Sequence, residues 1–256
     1  LIGAPGGGYI APLNRRGGAI VMAMLNTDGS VKSGKTITTG YSNFNHVLAE
    51  SARFGEAITP YADTTGDGKF NMFVVTAPRH YINGSTSSRT RGFFLVDIRN
   101  EVVHEEYWVK IANNHSTAPL EGDVAVRPNP TVGTQPQIIL SAASSDKVYV
   151  VTPGTDFAQF TVNSSLTIPS SHKADYPETS HFWLGKEVTV IGDSDQDGNV
   201  EVAVSQYPGY PYRTYGGSHP QNQGGVINFY ELNTSGGATH LGVLGNDQGG
   251  MPDILE

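Results

Sequence analysis

The sequence predicts an all-β chain assembled from repeated four-stranded antiparallel units. Three observations carry that prediction. Thirty-one glycines and fifteen prolines punctuate the chain closely, and no long helix-period window survives between them. The runs between the punctuation are short and rich in Val, Ile, Phe, Tyr and Thr, which suit a pleated, half-buried surface. The runs also recur at a fixed spacing, the signature of a repeat architecture.

The clearest copy reads Phe54-Gly55-Glu56-Ala57-Ile58, then Asp63 to Asn71, then Met72-Phe73-Val74-Val75-Thr76-Ala77-Pro78. A second reads Leu184-Gly185-Lys186-Glu187-Val188-Thr189-Val190, then Asp193 to Glu201, then Val202-Ala203-Val204. A worn copy lies between them, with Glu121–Val126 and Gln137–Ala143 as its strands. On this alignment Gly68, Thr134 and Gly198 correspond, 66 and 64 residues apart. Leu1-Ile2-Gly3-Ala4-Pro5 reads as the end of a further copy. Each copy continues with a third strand, such as Gly18–Met22 or Gly92–Val96, then a polar turn and a fourth. Four strands per unit describe a β-propeller blade. One such sheet cannot cover its own two faces, so blades stack on their neighbours. Small residues such as Gly55, Ala57, Ala77 and Ala203 are expected to let the sheets approach closely.

These residues resemble the FG-GAP repeat of integrin α-type propellers. Phe54-Gly55 matches the "FG", and Leu1–Pro5 and Val74–Pro78 match the "GAP". The resemblance covers nearly the whole chain, with its poorest stretch at Glu121–Ala143. It implies a single propeller segment over 1–256, with a partial blade at 1–45, blades at 50–115 and 180–245, a degenerate blade at 118–170 and a tail at 246–256. Family propellers usually have seven blades, so about four blades imply part of a longer propeller. The resemblance also implies an extracellular or cell-surface module that uses Ca²⁺ structurally.

The metal expectation stands on the residues as well. Asp193, Asp195 and Asp197 occupy alternate positions of a tight turn, Gly198 follows where the chain must bend, and Asn199 and Glu201 complete the pattern. A hard cation takes six to eight oxygens, which alternate residues of a turning loop supply. An EF-hand needs glutamate at the twelfth position and flanking helices; Val204 stands there, and the flanks are β-like. The earlier copy keeps Asp63 and Asp67 but has Thr65, Lys69 and Asn71 at the other positions, which predicts weaker binding. The worn copy carries Asn129, Thr131, Gly133 and Gln137 among Pro128, Pro130 and Pro136, and no metal is expected there. Asp247 and Asp253 keep only a trace of the pattern.

Several function classes recede. A net charge of −8 with a pI near 5.4 lacks the basic footprint of a nucleic-acid binder. The absence of cysteine excludes a disulfide scaffold and thiolate metal sites. No apolar run approaches the length of a membrane helix. Gly29-Ser30-Val31-Lys32-Ser33-Gly34-Lys35-Thr36 matches a phosphate-loop pattern, but poor helix formers follow it where a helix must open. His104 with Glu105 and Glu106 reads as a solvated face, and no motif for nucleophilic or metal-assisted catalysis occurs. An enzyme is therefore not expected.

A binding role is expected instead. The loops joining second and third strands share one side of a blade and are rich in tyrosine and arginine. They include Tyr81, Tyr207, Tyr210, Tyr212, Arg213 and Tyr215, residue types that dominate protein interfaces. The resemblance implies that this side takes ligands, with a protein partner or self-assembly expected and a glycan as the alternative. Four N-x-S/T triplets, at Asn83, Asn114, Asn163 and Asn233, are glycosylation acceptors if the chain is secreted from a eukaryotic cell.

Overall fold

A computed structural model describes residues 1–6, 17–80, 92–111, 123–128, 135–142, 146–169, 184–206 and 226–244. The described residues form β-strands, turns and coil, with no helix. The chain divides into two compact units, Leu1–Leu120 with Pro153–Thr161, and Glu121–Thr152 with Val162–Glu256.

In the first unit, β1 (Ile2–Ala4), β2 (Ala19–Leu25) and β3 (Val31–Ile37) form one antiparallel sheet. A second is the meander β4 (Ile58–Ala62), β5 (Met72–Thr76), β6 (Gly92–Arg99) and β7 (Val102–Ile111). In the second unit lie β8 (Val124–Arg127), β9 (Gln137–Ala142) and β10 (Lys147–Pro153). The strand β11 (Gln159–Leu166) follows them. The last meander is β12 (Leu184–Gly192), β13 (Val200–Gln206), β14 (Val226–Leu232) and β15 (Ala238–Leu244). Among the described residues two short pairings are parallel: Gln159 and Phe160 pair with Lys110 and Ile111, and Gly18 makes an isolated bridge to Phe54. Beside the first of these, Phe160 stacks on Phe93 with centroids 5.4 Å apart.

Alternation places the cores. Ile20, Met22 and Ile37 of the first sheet pack with Val75, Phe94 and Val96 of the second, and Phe44, Leu48, Ala52 and Phe54 from the connecting segment fill the layer. In the second unit Ile139, Val148 and Val150 pack with Val188, Val202, Val204 and Leu232. Residues 93–96 of β6 are all fully buried, so this strand reads as a continuous apolar run rather than an alternation.

The Phe-Gly dipeptide sits differently from the sequence expectation. It precedes the first strand rather than forming part of it, because β4 begins only at Ile58. Phe54 is buried between Phe44, at 5.0 Å, and Phe94, at 5.3 Å edge-on. Gly55 has φ +86 and donates its N–H to the Thr76 carbonyl. A Cβ there would lie 2.5 Å from the Ala19 carbonyl oxygen. The equivalent Gly185 has φ +87, beside a fully buried Leu184. The dipeptide thus supplies one core side chain and one backbone position that only glycine fits.

Residues 26–30 close the β2–β3 hairpin. Asp28 accepts the N–H and the hydroxyl of Ser30 through Oδ1. The phosphate-loop match therefore runs through a hairpin tip and an exposed strand, with no helix behind it.

Candidate metal centre

Asp63–Asn71 links β4 to β5, and Asp193–Asn199 links β12 to β13, so both loops occupy the same place in their sheets. Glycine makes the matching bend in each, with Gly68 at φ +81 and Gly198 at φ +90.

In the second loop Asp193, Asp195 and Asp197 bring carboxylate oxygens within 4.8 Å of one another, all on exposed residues. Asp193 Oδ2 accepts the Gly198 N–H at 3.1 Å. Asp195 Oδ1 accepts the Asp197 N–H at 3.2 Å. Asp197 accepts the Asn199 N–H at 2.7 Å and its side-chain amide at 2.8 Å.

Glu201 does a job the sequence reading did not give it. It is buried, and its Oε2 accepts the Ser194 N–H at 2.7 Å and hydroxyl at 2.6 Å. Asn71 does the same in the first loop, accepting the Thr64 N–H at 2.7 Å. The ninth position is therefore a brace, tying the second residue of the loop to the head of the next strand.

Glu231 is a residue the sequence reading missed. In the β13–β14 register it lies directly opposite Glu201. Desolvation pushes its carboxyl above the ordinary value, the charges of Asp197, Asp195 and Glu201 push the same way, and a bond from the Asn199 side chain opposes them. Three carboxylates thus cluster on this turn, with Glu201 behind it and Glu231 near enough to feel their charge. No ion pair among the described residues involves any of them. Like charges so placed repel, and a divalent cation would relieve the repulsion.

The first loop is neutralised differently. Asp63 accepts N–H groups from Thr65, Gly66 and Gly68 and the Thr65 hydroxyl. Desolvation pushes its carboxyl up, but these donors, led by Gly68, hold it below its ordinary value. Asp67 accepts the Lys69 N–H at 3.0 Å. Behind the loop Asp97 is fully buried and accepts the Asn71 amide at 2.6 Å. Arg99 grips Asp97 through Nε and Nη2 and also reaches the Thr64 hydroxyl at 3.2 Å. Asp97, His104 and Glu105 also bring ligand-type atoms within 4.8 Å of one another, with the Arg99 cation already on Asp97. A guanidinium from the chain thus balances a carboxylate behind the first loop, where the second loop shows no such partner among the described residues.

In the third copy the brace is redirected. Gln137 stands at the ninth position, and its Oε1 accepts from Arg127 Nη1 at 3.1 Å. Arg127 is 1% exposed and also donates to the Asn233 carbonyl. Asn129, Thr131 and Gly133 lie outside the described residues, as do Asp247 and Asp253.

Tyr81, Tyr207, Tyr210, Tyr212, Arg213 and Tyr215, expected from the sequence to contact a partner, lie outside the described residues too, with Asn83 and Asn114. Of the other triplets, Asn163 donates its amide to the Ser235 carbonyl, and Asn233 Oδ1 accepts the N–H groups of Ser235 and Gly237. No model of a known protein family matches the chain, and no curated protein matches it either.

The brace makes a direct prediction. Asn71→Ala removes bonds to the Thr64 N–H, the Thr64 hydroxyl and Asp97 at a buried residue. It should cost roughly 2–4 kcal/mol in a urea unfolding titration, because several buried polar groups lose partners together.

Proposed function

We propose that the chain is a calcium-stabilised segment of a β-propeller that works outside the cell as an adhesion or assembly module. The observation that carries this reading is the second loop, where the carboxylates of Asp193, Asp195 and Asp197 meet, beside Glu201 and Glu231, and none of the five has an ion-pair partner among the described residues. A catalytic centre would need a nucleophile or an acid–base pair beside such a site. The neighbours here, Ser194 and Asn199, are consumed in holding the loop. Serial four-stranded antiparallel sheets with a loop of the same make at the same inter-strand turn agree with a propeller of repeated blades. The ion's role is then structural: it holds the turn that joins two strands, and the order of the loop and metal binding rise together. Tyrosines 207, 210, 212 and 215 are the proposed contacts for a protein partner.

Calorimetric titration with calcium tests the proposal. One dominant site, silenced by Asp195→Asn and little changed by Asp67→Asn, is the expected result. Absence of heat and of any thermal shift at millimolar calcium overturns it. No helix among the described residues is long and apolar enough to cross a membrane.

A further inference from the structure

Two histidines in the first unit meet in a way that the loops do not explain. His46 lies in the coil connecting β3 to β4, and His80 follows β5. Their Nε2 atoms are 3.1 Å apart. His80 is 2% exposed, and its Nδ1 faces the backbone N–H of Ala49 at 3.2 Å. A nitrogen that faces an N–H must be the acceptor, so the proton of neutral His80 sits on Nε2. That proton points at His46 Nε2, which must be the next acceptor. Both rings are therefore neutral, each in one fixed tautomer.

The same geometry forbids a metal between them, because His80 Nε2 carries hydrogen and has no free lone pair. It also forbids charging either ring in place. A proton on His80 Nδ1 would face the Ala49 donor. A proton on His46 Nε2 would face the His80 donor. The surroundings supply little to offset a positive charge. His80 packs edge-on to Trp108 at 4.7 Å, and His46 packs edge-on to Phe94 at 4.9 Å. From β7, Glu106 is the carboxylate at hand, and its Oε1 is committed to the N–H groups of Asn45 and His46 at 2.9 and 3.0 Å. Arg79 precedes His80 in the chain, and Glu50 follows Ala49 on the exposed side.

We propose that His46 and His80 form a proton-sensitive latch, which holds residues 44–52 against the second sheet while both rings are neutral and releases them on acidification. What the latch holds is substantial, since Phe44, Leu48 and Ala52 are fully buried members of the core. Release would uncover that layer and the Phe54 beneath it.

The direction of the pH effect follows from the proton count. Desolvation pulls His80 down to about 4, with the His46 charge pulling the same way, and desolvation pulls His46 down as well. The unfolded chain takes up protons near pH 6.5, where the folded chain does not. Stability is thus fully present above pH 6.5 and is lost as the pH falls from there towards 4. Glu106 acts in the opposite sense. Desolvation raises its carboxyl against the two N–H groups it accepts, so it offsets part of the loss at the acid end.

The test uses the whole chain in a calcium chelator, so that metal release adds no protons of its own. Nitrogen-15 spectra of the imidazoles should show His80 as the Nε2–H tautomer down to about pH 5. Below pH 6.5 the protection factors of the Asn45, His46, Leu48 and Ala49 amides, corrected for intrinsic exchange at each pH, should fall. The unfolding constant should rise between roughly tenfold and hundredfold per pH unit, for one to two protons taken up. The His46→Gln and His80→Gln double variant keeps donors and acceptors at these two sites but cannot titrate there, and its curve should lack the histidine-dependent loss, leaving the opposing slope of Glu106. Free titration of His80 near pH 6.5 with the Ala49 amide still protected overturns the latch. So does a wild-type curve parallel to that of the double variant. If the double variant fails to fold, the wild-type spectra alone decide.

Discussion

Gly55→Ala is expected to destabilise the first unit by roughly 2–5 kcal/mol, a large share of the 5–15 kcal/mol that holds an ordinary domain together. Two costs add. An alanine at φ +86 pays about 1–2 kcal/mol for the left-handed backbone. Its methyl group would lie 2.5 Å from the Ala19 carbonyl oxygen, and Ala19 is held in β2 by pairing with Ala4. Backbone in a paired strand cannot yield as a flexible side chain does, so the overpacking costs a further 1–3 kcal/mol or so. Two other positions separate these terms. Gly66 has φ +75 but open space around it, so Gly66→Ala should cost only about 1–2 kcal/mol. Gly185→Ala should fall between, because its methyl meets Val148 Cγ2 at 2.5 Å and Ser141 Oγ at 2.7 Å, side-chain atoms that can move. Urea unfolding of the three variants should give the order Gly55, Gly185, Gly66. Equal losses at Gly55 and Gly66 would show that the close approach of the two sheets contributes nothing.

That comparison explains why part of this molecule could be read from its sequence. Strand runs and loop spacing are local, and a local pattern needs no knowledge of what lies across the sheet. Asp193, Asp195 and Asp197 stand two residues apart, and a single glycine bend brings them together. The brace at the ninth position was visible as a residue but not as a role, because a carboxylate or an amide serves equally as ligand or as acceptor. Glu231 was hidden by register. It follows Glu201 by thirty residues in the chain and meets it only because β13 and β14 pair as they do. Asp97 and Arg99 were hidden in the same way behind the first loop. The histidine pair is harder still. His46 sits in a coil with no periodicity, and its partner lies 34 residues away. Such pairings depend on the packing of the whole unit, and spacing in the chain does not record them.

The largest effect of opposite sign belongs to the second loop. In a chelator, the triple variant Asp193→Asn, Asp195→Asn, Asp197→Asn should be more stable than the wild type. Removing three charges from a turn they share with Glu201 and Glu231 relieves repulsion, while asparagine keeps oxygens for the N–H groups of Gly198, Asp197 and Asn199. In calcium the order should reverse. At a hundred times its dissociation constant, an ion that binds only the folded state adds about 2.7 kcal/mol. For a chain of this size that raises the thermal midpoint by roughly 5–10 °C, and the variant should gain none of it. The first loop is the internal control. Arg99 already neutralises Asp97 there, and donors already satisfy Asp63. Asp63→Asn should therefore lose stability with or without calcium, since it weakens charge-assisted bonds that the loop uses to hold itself. The crossing of the two stability curves for the triple variant separates a metal centre from a solvated acidic turn. A turn that merely faces water would gain in the chelator and keep the same gain in calcium.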